Sequence, residues 1–178
     1  GNIETLELPF IEKKFDCILF ADVLEHLIDP LEVLRKTRKF LKTDGSVIAS
    51  IPNVQYLGLV SQLVEGNWTY QDEGILDRTH LRFFTYHEII KLFDEAGYII
   101  SSINETLDPQ YKDAESQKTT LNLGRLTIRD LSPDELKKFF VYQYKIKAKL
   151  KPVVCDDKLF YDIKESHMVD VFEKGKSL

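Results

Sequence analysis

Asp22, Glu25 and His26 stand close together where an apolar run, Cys17-Ile18-Leu19-Phe20-Ala21, gives out. Carboxylates beside an imidazole can hold or move a proton. His26 is therefore a candidate positioning group or general base, with Glu25 next to it at a helix start. Asp22 has a plainer role open to it, as the cap of the following turn. A second polar group lies in the aromatic stretch Trp68 to Thr85, where Arg78, Thr79, His80 and Arg82 fall together. Guanidinium forks suit a carboxylate or phosphate. The same arginines could instead pair with Asp72, Glu73 or Asp77 and pin the stretch in place, and Arg82 leans to that structural role. His80 is open between the two. Trp68, Tyr70, Phe83 and Phe84 read first as the packing of the stretch itself.

The elements that must position these groups follow from hydrophobic pattern. Phe15 to Asp22 is continuous and apolar without period, which predicts a strand buried on both faces, as in a parallel sheet. Asp29 caps a helix with Pro30 at its first position. That helix is expected to run through Leu41 and to end at Lys42 to Gly45, with Gly45 as a left-handed cap. Arg35, Lys36, Arg38 and Lys39 fall on its wet side. Ser46 to Ile51 is a second buried strand closed by Pro52-Asn53, and the three elements make a right-handed βαβ unit. Polar groups at the carboxyl end of the first strand then lie where open α/β sheets bind ligands.

Val54 to Glu65 reads as a helix broken by Gly66-Asn67. Trp68 to Thr85 has no usable period, as expected of a functional loop. Thr85 and Glu88 form a capping box for a helix with Ile89, Ile90, Leu92 and Phe93 on its buried stripe, ended by Gly97. Tyr98 to Ile103 is a third strand, and Glu105 to Thr119 a polar excursion. Ser132 caps a short helix. Phe139 to Leu150 alternates Val141, Tyr142, Tyr144, Ile146 and Ala148 with Gln143 and lysines, which marks a half-exposed antiparallel strand near an edge. Gly1 to Phe10 is a loop or short edge segment.

At 178 residues with a net charge of -5, the chain has no overall electrostatic footprint for nucleic acid. Lys145 to Lys151 reads as the wet face of a strand. Cys17 and Cys155 are far apart and read as free thiols of a reducing compartment. No apolar run is long enough to span a membrane. A cytoplasmic protein with a small-molecule partner, and with neither a membrane nor a nucleic acid as partner, is the expectation.

In order and spacing, FDCILFADVLEHLIDP, LRKTRKFLKTDGSVIASIPNV, GNWTYQDEGILDRTHLRFFT and HEIIKLFDEAGY resemble the second half of a class I S-adenosylmethionine-dependent methyltransferase. YQYKIKAK is similar to the last, antiparallel strand of that fold. The resemblance runs from Gly1 to about Gly97, and its DRTHLRFF block is similar to a narrower subgroup. It implies an α/β fold with a partial Rossmann-like sheet, the strands numbered 4, 5, 7 and 6 in the family, strand 7 antiparallel and the first-half strands lacking. It further implies a methyltransferase half-domain over 1–150, followed by a tail over 151–178.

The cofactor that the resemblance implies is S-adenosylmethionine, and the acceptor a small molecule. Phe20, Ala21 and Asp22 match the family's lining of the cofactor's methionine end. Asn2 and Ile3 match a Gly-Asp-Ile whose Asp contacts adenine, with Asn2 departing from it. Glu25, His26 and His80 are the candidate catalytic groups, and Arg78, Arg82, Trp68 and Tyr70 the candidate acceptor-binding groups. Some members bind a divalent metal through E-x-x-E-H at this place. Here Asp22 comes first and no second cluster obviously completes a shell, so no metal ligand is assigned. Neither the glycine-rich cofactor loop nor the ribose-binding acid lies in the sequence, so a chain weak or inactive alone is expected. The first strand would then be an unpaired edge and one sheet face bare, which predicts a homodimer through 15–22 or that face, or a tail folded back over it. The alternative is an α/β interaction module without catalysis.

Overall fold

The computed structural model describes residues 1–6, 14–111 and 119–152. The expected structure of Glu7 to Phe10, the middle of the polar excursion, Cys155 and the tail lies outside them. The chain runs β1 (Phe15–Ala21), α1 (Pro30–Thr37), β2 (Leu41–Pro52), α2 (Leu57–Val64), α3 (Tyr86–Glu95) and β3 (Tyr98–Leu107). It continues with β4 (Leu121–Leu123), β5 (Leu126–Ile128), α4 (Pro133–Lys138) and β6 (Val141–Leu150). The main sheet has the order β1-β2-β6-β3, and β4-β5 is a separate hairpin. β1 and β2 are parallel, and β6 runs antiparallel to both β2 and β3. This is the partial Rossmann-like order that the sequence implies.

The register explains the layers. Phe20, Ala49 and Ile146 are successive cross-strand partners, as are Leu19, Ile48 and Lys147. Cross-strand partners share a face. The first set is buried, and against it pack Val33 and Leu34 of α1 and Ile89 and Phe93 of α3. The second set is exposed, with Leu19 at 64% and Ile48 at 38%. The expected burial of β1 on both faces is thus corrected. β1 is an edge strand with Cys17 and Leu19 open to solvent, and only Phe20 is fully buried. A continuous apolar run reports no period, so it could not reveal that one face has no cover among the described residues.

Asp29 caps α1 by accepting from the Glu32 amide at 3.0 Å. The helix is shorter than expected. It tightens into a single 3-10 turn over Arg38–Phe40, and β2 begins at Leu41. Phe40 and Leu41 are buried outside the α-helix, and Gly45 lies within β2 with no left-handed φ. Gly97 does adopt φ +82 and ends α3, its missing side chain leaving room for the Arg38 guanidinium. β3 extends past Ile103 to Leu107, taking the first residues of the expected excursion into the sheet. β6 lies between β2 and the edge strand β3, and its lysines stay in water as expected.

The β4-β5 hairpin was not foreseen. Its strands are three residues each, too short to show a period. Leu121 and Leu123 nevertheless seed a second cluster with Leu136, Phe139 and Phe140. α4 carries a complete capping box between Ser132 and Glu135. The aromatic stretch 68–85 is irregular but anchored, since Ile75 and Leu76 bury against Leu59 of α2 in a third cluster. Asn53, fully buried, ties this region together by donating to the Lys138 and Val141 carbonyls at 2.9 and 2.7 Å.

Candidate active site

At the carboxyl ends of β1 and β2 the chain turns, and Asp22 takes a left-handed φ of +50. Pairing sets Ala21 beside Ser50 and Pro52 beside Gln143. Asp22 is therefore within reach of both. Its amide donates to Ser50 Oγ at 2.9 Å, and its Oδ1 accepts from Ser50 Oγ at 2.8 Å and Gln143 Nε2 at 2.7 Å. Asp22 is not the turn's cap; the single 3-10 turn Leu24–His26 starts after Val23 without a side-chain cap. Gln143 lies 121 residues away along the chain, so no local signal could have marked it.

That turn delivers Glu25 and His26, and the aromatic stretch comes back over it. The Glu25 carbonyl accepts from the Leu81 and Arg82 amides at 2.8 and 2.9 Å, which docks the stretch and brings His80 onto the site. The rings of His26 and His80 meet edge to face with centroids 4.7 Å apart. His26 Nδ1 lies 3.1 Å from the Thr79 carbonyl and 3.0 Å from Thr79 Oγ1. A carbonyl can only accept, so Nδ1 carries a proton, and in the neutral ring the lone pair is then at Nε2. The same holds for His80, whose Nδ1 donates to the Ile75 carbonyl at 2.9 Å. Asp77 stands behind the first imidazole, accepting from Thr79 Oγ1 at 2.6 Å and from its amide at 2.7 Å. These two bonds hold the Asp77 carboxyl below the usual range.

Glu25 is 1% exposed, and both carboxylate oxygens are buried without a hydrogen-bond partner in the structure. Burial raises its pKa above the ordinary carboxylate value and Asp22 adds to the rise, while its own nearby backbone amide, too poorly aligned to count as a hydrogen bond, and the two histidines oppose it. Ligand atoms of Glu25, His26 and His80 all lie within 4.8 Å of one another. The three candidate catalytic groups, from stretches more than fifty residues apart, thus form one cluster. Asp22, Glu73, Asp77, Tyr142 and Gln143 complete a pocket of about 280 Å³ around it.

The other candidates are placed elsewhere. Arg78 pairs with Asp72 at 2.8 Å, and neither is part of the pocket wall. Arg82 spends its guanidinium on backbone, donating through Nε and Nη2 to the Ile28 carbonyl and through Nη1 to Leu81. Trp68 packs edge-on to Phe83, and Tyr70 is exposed. Phe20 faces the core while Ala21 is open at the strand's end. Asn2 turns its side chain to the Glu4 amide, and Glu4 in turn accepts from the Asp29 amide, so Asn2 and Ile3 are held at the head of α1.

Comparison with known proteins agrees with this fold. The family described as "Methyltransferase domain" matches residues 6–103, and the chain belongs to it. A ubiquinone biosynthesis O-methyltransferase of Cereibacter sphaeroides is 29% identical over 98 residues, 54% of this chain and 39% of that protein. A 37.1 kDa protein of transposon TN4556 from Streptomyces fradiae is 24% identical over 132 residues, 74% of this chain and 37% of that protein. The chain thus spans about two fifths of the length of these curated relatives. A solved SAM-dependent methyltransferase from Thermotoga maritima, a possible histamine N-methyltransferase, superposes with TM-score 0.53 at 17% identity, over 85% of this chain and 62% of that one. That likeness is one of fold.

Proposed function

We propose that the chain supplies the acceptor side of an S-adenosylmethionine-dependent methyltransferase and that proton removal there falls to His26. The observation that carries this is the convergence of Glu25, His26 and His80 at the carboxyl ends of β1 and β2, with both imidazoles anchored through Nδ1. The residues present suit the charged end of the donor. Asp22 is fixed by Ser50 and Gln143 among further acids, which favours a cation. When bound, the donor provides an electrophilic methyl group for in-line displacement by the acceptor. The chain's residues position the acceptor and take its proton at His26 Nε2, while Thr79 and Asp77 hold the imidazole's tautomer and orientation. Ala21, open at the strand's end, would line the donor's methionine end while Phe20 backs it from the core, and Asn2 and Ile3 would approach its adenine from the head of α1.

The test is methyl transfer from labelled S-adenosylmethionine to a neutral catechol, by the chain alone and within the longest polypeptide containing it. Transfer that falls by about two orders of magnitude in His26→Ala supports the reading. An interaction module without catalysis would give no transfer in either form and no heat when S-adenosylmethionine is titrated in.

A second reading is favoured by the unpartnered Glu25 carboxylate. With the two Nε2 atoms it fits a divalent cation, Mg²⁺ or Mn²⁺, and the bonded Nδ1 groups are the usual support of histidine ligands. His80 is the completing group that the sequence did not reveal. Such an ion would acidify an acceptor hydroxyl. Titration of Mn²⁺ followed by electron spin resonance, in wild type and Glu25→Gln, decides this.

The homodimer also belongs to the proposal, through the β1 edge or the face bearing Leu19 and Ile48. Light scattering tests it, together with protection of Cys17 from thiol reagents.

A further inference from the structure

A second pocket of about 290 Å³ adjoins the acidic one. The two share Gly74 and Tyr142 as a common wall. Its floor is the third apolar cluster, Leu59, Ile75 and Leu76, and its polar groups are the amides Gln62 and Gln71. Tyr56 and Tyr142, both on its wall, touch edge to face with centroids 5.4 Å apart, and the Tyr56 hydroxyl is already committed to Asp108. Gly74 sits at φ +91, and a side chain there would come within 3.3 Å of the Tyr142 hydroxyl. Glycine keeps side-chain bulk out of the wall that the two pockets share.

The charge inventory gives this cleft its selectivity. Among the described residues no lysine or arginine lines either pocket, while Asp22, Glu25, Glu73 and Asp77 line the acidic one. Arg78 and Arg82, the cations nearest in sequence, are turned to Asp72 and to backbone carbonyls. A carboxylate or phosphate on the acceptor would meet like charge with no compensating partner.

We infer that the cleft takes an uncharged aromatic acceptor, its ring on Leu59, Ile75 and Tyr142 and its reacting hydroxyl passing over Gly74 into the acidic pocket, and that it rejects the corresponding anions. This rests on the methyltransferase reading for the fate of the hydroxyl, but not for the binding. Flat apolar walls with a few amides are what ring-bearing ligands require.

The test titrates two probes of equal ring shape into the 178-residue chain without S-adenosylmethionine, following amide and methyl NMR signals. 3,4-Dihydroxybenzyl alcohol is expected to bind at least about tenfold more tightly than 3,4-dihydroxybenzoate, with shifts at Leu59, Gly74 and Tyr142. Gln71→Arg, a change at an exposed side chain, should reverse the preference by placing a guanidinium at the rim. The inference is overturned if the benzoate binds equally well or better in wild type, or if neither probe shifts these signals at about 10 mM, a limit beyond any specific site. Selective binding without methyl transfer would leave it standing and sink the proposed activity. Transfer to the benzoate as readily as to the alcohol would do the reverse.

Discussion

Two cavities of this molecule differ in a way that size alone would misjudge. The larger, about 530 Å³, lies between α3 and the outer edge of β3, walled by Tyr86, Ile90, Tyr98 and Ile99 to Ile103. The smaller, about 280 Å³, lies at the carboxyl ends of β1 and β2. In the larger one three polar groups have partners: Tyr98 donates to the Leu34 carbonyl at 3.1 Å, Ser101 to the Lys147 carbonyl at 3.0 Å, and Asp94 pairs with Lys151 at 2.7 Å. In the smaller one, acids and imidazoles converge, and the Glu25 carboxylate has no hydrogen-bond partner among the described residues. A fold leaves buried polar groups unanswered at a stability cost, which marks where a ligand is expected to answer them. The first cavity is a by-product of packing a helix on a sheet edge, and the second is the candidate site.

Substitutions sharpen this contrast. His26→Ala is expected to lower methyl transfer by about a hundredfold, and Ile99→Ser, in the larger cavity, to change it less than about twofold. Equal losses would erase the distinction. Glu25→Leu should abolish the cluster yet raise stability by about 1–3 kcal/mol in urea unfolding, because an unpaired buried carboxylate is removed. Tyr98→Phe is expected to lower stability by about 1 kcal/mol or less through the lost bond to the Leu34 carbonyl, which keeps Thr37 Oγ1 as a donor, with no effect on acceptor binding.

The smallest effect is alkaline. Tyr56, at the wall of the second pocket, is raised from 10.0 to about 12, first by burial and then by its bond to Asp108. A raised folded pKa means that its contribution is fully present below pH 10 and is lost as pH climbs towards 12. Tyr56→Phe should flatten the fall of the unfolding midpoint across that window.

Much of this was legible in the sequence, for identifiable reasons. Asp29-Pro30, Thr85 and Ser132 announced helix starts because capping is local chemistry. The alternation from Val141 to Leu150 announced a strand because one face is wet. The acids and histidine after Ala21 could be picked out as reactive types at a strand's end. Other features depend on distant chain. Gln143 reaches Asp22 only through the β2–β6 register, and His80 joins Glu25 only because the Glu25 carbonyl docks the Leu81 and Arg82 amides. The arginines misled for the same reason. Arg78 and Arg82 advertise anion binding by type, and only tertiary structure shows their forks turned to Asp72 and the Ile28 carbonyl. Gly45 likewise has a cap's chemistry without a cap's position, since Phe40 and Leu41 leave the helix to bury in the core.

The most direct test maps ligand contacts on the 178-residue chain by two-dimensional NMR, adding S-adenosylmethionine together with 3,4-dihydroxybenzyl alcohol. The account predicts shifts centred on Asp22, His26, Gly74, His80 and Tyr142, with Ile99 to Ile103 silent. Shifts centred on Ile99 to Ile103, with the histidines unmoved, would contradict it and make the larger cavity the site.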